Sequence, residues 1–111
     1  MAKPTREDAA LMIQLAQWST AMGFADAVRA IFDDGFDPEA EDAMNDAVRT
    51  VLTLGETIGT LTKHDLISRE LVTDWLWIDG LWGRVGPAAL KQREKFAEPR
   101  LYENFEALAS G

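Results

Sequence analysis

The stretch that most constrains the fold runs from Ser68 to Phe96, SRELVTDWLWIDGLWGRVGPAALKQREKF. It holds three of the four tryptophans and three of the eight glycines. Read as one helix, Leu71, Trp75, Ile78, Trp82, Val85 and Ala89 recur at steps of four and three. At about 100° per residue they fall within about 80° of one another, a single apolar stripe. Ser68 is a good N-cap residue, and Glu70 suits the positive end of the helix dipole. Trp77 and Leu81 lie on the flank, roughly a quarter turn away, so the apolar surface is wider than one partner helix needs. Burying one large apolar side chain stabilises by about 1.5–3 kcal/mol. A helix carrying Trp75, Trp77 and Trp82 is therefore expected at the centre of a core or in an interface, with its indoles hidden. Gly80, Gly83 and Gly86 step by three, and each costs about 1 kcal/mol of helix propensity relative to Ala. Together with Pro87, which removes the bond to the Gly83 carbonyl, they predict close approach of a second helix or a kink. A phosphate-cradling loop does not fit, because the spacing matches neither glycine-rich fingerprint and no strand precedes it.

The remaining sequence also reads as helix. Thr5 and Asp8 have the spacing of a capping box. From Arg6 to Phe32 one stripe holds Leu11, Leu15, Trp18, Met22, Ala25 and Phe32. A second, roughly opposite, holds Ala9, Ile13, Ala16, Phe24, Ala27 and Ile31. A helix apolar on two sides is covered on two sides, by a bundle or by another chain. Ser19 to Gly23 can bend or break it. Gly35 ends this helix, and Asp37-Pro38 reads as the start of the next, which continues from Ala40 to about Thr62. Gly55 and Gly59 in that run are a small-residue pair suited to close helix packing. Lys63 and His64 favour a helix C-terminus. After the turn Lys63–Ile67 and the Trp-rich helix, Pro99 breaks the chain. Leu101 to Ala109 forms a last short helix with Tyr102, Phe105 and Leu108 on one side. The expected fold is all-α, a single domain over 1–111: a small antiparallel bundle of about four helices, the Trp-rich one central and able to kink at Pro87.

Composition excludes several functions. A chain of 111 residues is the size of one domain, and 47% hydrophobic content argues against disorder. The absence of cysteine removes disulfides and thiolate metal sites and fits a reducing compartment. No apolar run is long enough to span a membrane. Met1-Ala-Lys-Pro-Thr is not followed by a leader-type apolar segment. A cytoplasmic location is expected. The net charge of −8 weighs against nucleic acid, which a basic footprint must neutralise. The charge is uneven. Asp33 to Asp46 carries seven carboxylates and no Lys or Arg, whereas Arg84 to Arg100 carries five basic residues against Glu94 and Glu98. The acidic run reads as a solvated connector, or as a docking surface for a basic partner or the basic segment of a second copy.

No catalytic, metal or cofactor constellation stands out. His64 is the lone histidine, without the partners a zinc or di-iron site needs. The Asp33–Asp37 run has its glycine at the wrong position for a calcium loop. Glu70 and Asp74 share a helix face and read as solvated.

From about Leu54 onward, Leu61, Leu66-Ile67, Trp82, Pro87, Arg93, Pro99, Tyr102 and the closing Phe105-Glu106-x-Leu108-Ala109 resemble a family of small all-helical bacterial domains of unknown function. The resemblance implies an all-helical fold and carries no activity. Its members often begin with a membrane-anchoring helix, but here Gln14, Gln17, Asp26 and Arg29 stand in the first helix. Arg93 is placed to reach Glu106 and tie the last helix across the Trp-rich one.

The preferred reading is a helical protein-interaction module that self-associates, a homo-oligomer or partner of another protein, without catalytic chemistry, cofactor, nucleic acid or membrane span. Its interaction or pocket candidates are Trp75, Trp77, Leu81, Trp82, Arg93 and Tyr102. Two alternatives stand beside it: an acidic helix-turn-helix-like regulator built on the Ile67 turn, and a small-molecule sensor or enzyme with a pocket lined by Trp75, Trp77 and Trp82.

Overall fold

The computed structural model describes residues 3–111; Met1 and Ala2, where the segment read for a leader begins, lie outside the described residues. Those residues form six α-helices and no strand: α1 (Arg6–Ala21), α2 (Phe24–Ile31), α3 (Asp46–Lys63), α4 (Arg69–Trp75), α5 (Ile78–Lys95) and α6 (Glu103–Ser110). The all-helical expectation holds, while the count of about four does not. Each extra break has a local cause.

The first break is at Gly23, whose φ of 78° is left-handed and separates α1 from α2. The second divides the Trp-rich stretch, expected as one helix. Leu76 is extended and Trp77 has φ −80° and ψ 75°, with the Ile78 amide donating to the Leu76 carbonyl at 2.9 Å. That is an inverse γ-turn centred on Trp77. Pro87, by contrast, ends nothing. It lies inside α5, and the carbonyl it leaves unbonded belongs to Gly83 on an exposed turn.

The helix expected to start at Asp37-Pro38 begins at Asp46 instead, capped by the Asn45 side chain, which accepts from the Val48 amide at 2.9 Å. Residues 33–43 form successive turns, with amide-to-carbonyl bonds from Phe36 to Asp33, Ala40 to Asp37 and Ala43 to Ala40. The Asp33 and Asp37 carboxylates accept from the Gly35 and Glu39 amides at 2.9 and 3.0 Å. Such Asx bonds compete with helix, and so does the crowding of six carboxylates from Asp33 to Asp42.

The central helix is α3, not the Trp-rich stretch. Val48, Val51, Leu52, Leu54, Gly55, Ile58 and Gly59 are all buried along it. It packs most extensively on α6 and α2, and α5 closes the bundle against α6 and α3. Gly55 and Gly59 set the α3–α6 distance. A Cβ on Gly55 would overlap the Phe105 ring, and one on Gly59 would overlap the backbone at Asn104. Phe105, fully buried, meets Trp82 of α5 edge-on with ring centroids 5.1 Å apart. α1 is peripheral and touches chiefly α2 and α4. Its only buried residues are Leu15 and Ser19, so the two-sided cover expected of it is one-sided.

The expected capping box is present. Thr5 and Asp8 bond reciprocally, and Asp8 also accepts from the Ser68 amide at 3.1 Å, joining the start of α1 to the start of α4. The Thr5 amide and hydroxyl and the Ser68 amide hold the Asp8 carboxyl below its ordinary pKa against the opposing effect of burial. A depressed carboxyl releases its proton more readily in the folded state. Its contribution is therefore complete above about pH 5 and is lost as pH falls below about 4. Asp8→Asn is expected to flatten the acid limb of a stability–pH curve measured by urea unfolding. The two classes of glycine give an opposed pair in the same assay. Gly55→Ala is expected to lower stability by about 3 kcal/mol through overlap with Phe105. Gly83→Ala, with open space at its Cβ, is expected to raise it by about 1 kcal/mol.

Candidate interaction surfaces

The six residues singled out by sequence fall in different places. Leu81 is core. Trp82 is half-buried, edge-on to Phe105, and packs back over Gly86, where a Cβ would come within 2.8 Å of its ring. The glycine steps thus seat indoles of the same segment, Trp82 on Gly86 and Trp77 on Gly80, rather than a second helix. Tyr102 is half-buried with φ 58° and lines a shallow groove with Thr53, Thr57 and Leu61. Trp75 and Trp77 share the wall of an open cleft of about 660 Å³ with Arg69, Asp74, Asp79 and Leu108. Trp82 does not line it, so the three tryptophans do not form one pocket.

Arg93 reaches Glu106 as expected, Nη1 to Oε1 at 3.0 Å, and its Nε donates to the Leu101 carbonyl at 2.7 Å. Its side chain is only 15% exposed, against 40% for Glu106. One cation therefore ties α5 to both the loop before α6 and α6 itself. Its Nη2 is buried without a hydrogen-bond partner among the described residues. Nearby on the surface, the Arg100 guanidinium, bonding at 2.8 and 3.0 Å, holds the Glu103 carboxyl below its ordinary pKa.

Sequence reasoning named Trp77 but not its partner. Trp77, expected in a core or in an interface, is 71% exposed on the single chain, because the γ-turn carries it away from the α4 and α5 core faces. Its indole stacks on Phe32, at the end of α2, with centroids 5.8 Å apart and planes 8° from parallel. Arg84 of α5 lies over Phe32 and Phe36 at 5.6 and 5.3 Å. Its Nε donates to the Ile31 carbonyl at 2.6 Å, and its Nη2 to the Phe36 carbonyl at 3.3 Å. Two turns further along the same face, Lys91 donates to the Glu39 and Ala40 carbonyls. α5 thus staples the acidic loop by its backbone. The carboxylates of Asp33, Asp34, Asp37, Glu39, Glu41 and Asp42 stay exposed and form no salt bridge among the described residues. The sequence signal for the staple was the pairing of a loop without cations and cations seven residues apart on one helix.

A second open apolar surface lies on the outer side of α1. Ile13 is 56% exposed and Trp18 38%. Ala10, Gln14, Gln17 and Ala21 share that side and are exposed as well. From Ala9 to Ala25 the chain has no charged residue.

A family described as Domain of unknown function (DUF4760) matches residues 3–111. The chain belongs to this family. The resemblance seen in its C-terminal half therefore extends over the N-terminal half too. No curated protein and no solved structure matches the chain. No helix among the described residues is long and apolar enough to cross a membrane. In this DUF4760 domain the turn Lys63–Ile67 leads into a helix of only seven residues, α4. Its Arg69 donates to the Leu108 carbonyl at 2.8 Å, so that guanidinium is engaged with α6.

Arg93→Ala is expected to cost about 1.5–3 kcal/mol, the range for hydrogen bonds to a charged group. Glu106→Gln, which keeps a hydrogen-bond acceptor, is expected to cost less. Chemical denaturation of both variants checks the order.

Proposed function

We propose that this helical domain is a protein-interaction module that self-associates through the outer face of α1. The observation that carries this reading is the uncharged, apolar stripe around the exposed Ile13 and Trp18. A chain of net charge −8 repels its copies. Two copies meet with least like-charge contact where neither presents a charge, and α1 supplies such a face from Ala10 to Ala21, about three turns. The side residues recur at Ala10, Ile13, Gln14, Gln17, Trp18 and Ala21, the three-and-four spacing of a helix–helix seam.

The seam is short. A helix of 16 residues is about 24 Å long, and one helix pair buries less than the roughly 800 Å² per partner of a standard interface. The association supported is therefore a reversible dimer, not an obligate one. Light scattering across a concentration series up to hundreds of micromolar is expected to show monomer passing to dimer. Ile13→Glu is expected to hold the protein monomeric throughout. Because Ile13 is mostly solvent-exposed in the monomer, the same change should shift unfolding stability by no more than about 0.5 kcal/mol. A wild-type protein that scatters as monomer at every concentration removes this reading.

A further inference from the structure

We infer that the Phe32–Trp77 face is a second docking surface, and that its occupant is a positively charged segment of another protein. The face has the composition of a binding anchor: an exposed tryptophan stacked on a half-exposed phenylalanine, with an arginine behind them. It is held in place before any partner arrives. Arg84 fixes the carbonyls on either side of Phe32, and Gly80 leaves room for the Trp77 ring to lie down on α5. Little ordering remains to oppose binding.

Charge selects the occupant. Asp33 and Asp34 follow Phe32 directly, and Asp74 and Asp79 stand three residues before and two after Trp77; all four are exposed and none forms a salt bridge among the described residues. The cations that reach this loop, Arg84 and Lys91, bond to its carbonyls, and the loop keeps six carboxylates against those two. A second copy pressing the same face here would bring two acidic loops together. A lysine- or arginine-rich segment would instead meet carboxylates at the rim and place a cation on the open indole. Its aliphatic stems would cover the rings. This surface is separate from the α1 seam and does not depend on it.

A titration by calorimetry tests the inference, with a lysine-only oligopeptide as probe and a glutamate-only one as control. The lysine peptide is expected to bind, less tightly as salt rises. Trp77→Ala is expected to weaken it about tenfold. Asp34→Asn combined with Asp79→Asn should weaken it by a similar factor, while Trp18→Ala should leave it unchanged. Absence of binding overturns the inference. So does equal binding by Trp77→Ala, which would reduce the effect to diffuse attraction by an acidic protein. If Trp77→Ala abolishes self-association, the face belongs to a second copy, and the inference is likewise overturned. Loss of self-association in Ile13→Glu alone, with peptide binding intact, separates the two surfaces.

Discussion

The fold depends on how closely α6 can lie on α3. Gly55 and Gly59 remove side chains from one face of α3, and Phe105 fills the space so made. Between the two glycines stands Glu56. Its carboxylate accepts from the Asn104 and Phe105 amides at 3.0 and 2.9 Å and from the Asn104 side chain at 2.9 Å. The N-cap position of α6 is Tyr102, which makes no side-chain cap bond. Glu56 therefore supplies from another helix the acceptor that α6 lacks, and places a negative charge at its positive end. Close approach and capping are one interaction: without the glycines the carboxylate could not reach, and without the carboxylate the amides at the start of α6 would be buried without an acceptor. Trp82 and Arg93 then lock α5 onto the same helix, one by its ring and the other by its charge.

That arrangement explains which parts of the fold were legible. Helix starts with their own caps, Thr5 with Asp8 and Ser68 before α4, stand where sequence places them because the signal is within four residues of its effect. The Gly55–Gly59 pair was also readable, from side-chain size at helical spacing, and the Arg93–Glu106 bridge from opposite charges among the residues that the family resemblance singles out. The α6 cap was not, because its acceptor lies 48 residues away in the chain. Its trace in the sequence is negative: a short helix opening at Tyr102 without Ser, Thr, Asp or Asn in the cap position.

The misreadings have one common source. Periodicity reports which residues share a face if the helix continues, and carries no information about whether it does. Asp33 and Asp37 bond to amides two residues on, and so turn a segment with good helical spacing into a chain of turns. Of the stripe read from Leu71 to Ala89, Ile78, Val85 and Ala89 are buried, but the γ-turn leaves Leu71, Trp75 and Trp82 half-buried and buries Val72 and Leu81, which lie off that stripe. The glycine ladder looked like room for a second helix and is room for tryptophans of its own segment.

The break at Leu76 also decides what the outside of the molecule presents. In a continuous helix Trp77 would project about 160° from Trp75, roughly a quarter turn beyond the edge of the core stripe. The γ-turn leaves Trp75 half-buried and brings Trp77 to the end of α2, where Phe32 closes the stack. α5 then has to hold a loop that carries no cation of its own, and it does so with Arg84 and Lys91 bonded to carbonyls. Carbonyl capture fixes the backbone while leaving the carboxylates free, whereas salt bridges would have fixed the loop by neutralising it. The result is a surface divided by charge, uncharged along α1 from Ala9 onward and acidic around the aromatic stack. Such a division suits two contacts of different chemistry better than one continuous interface.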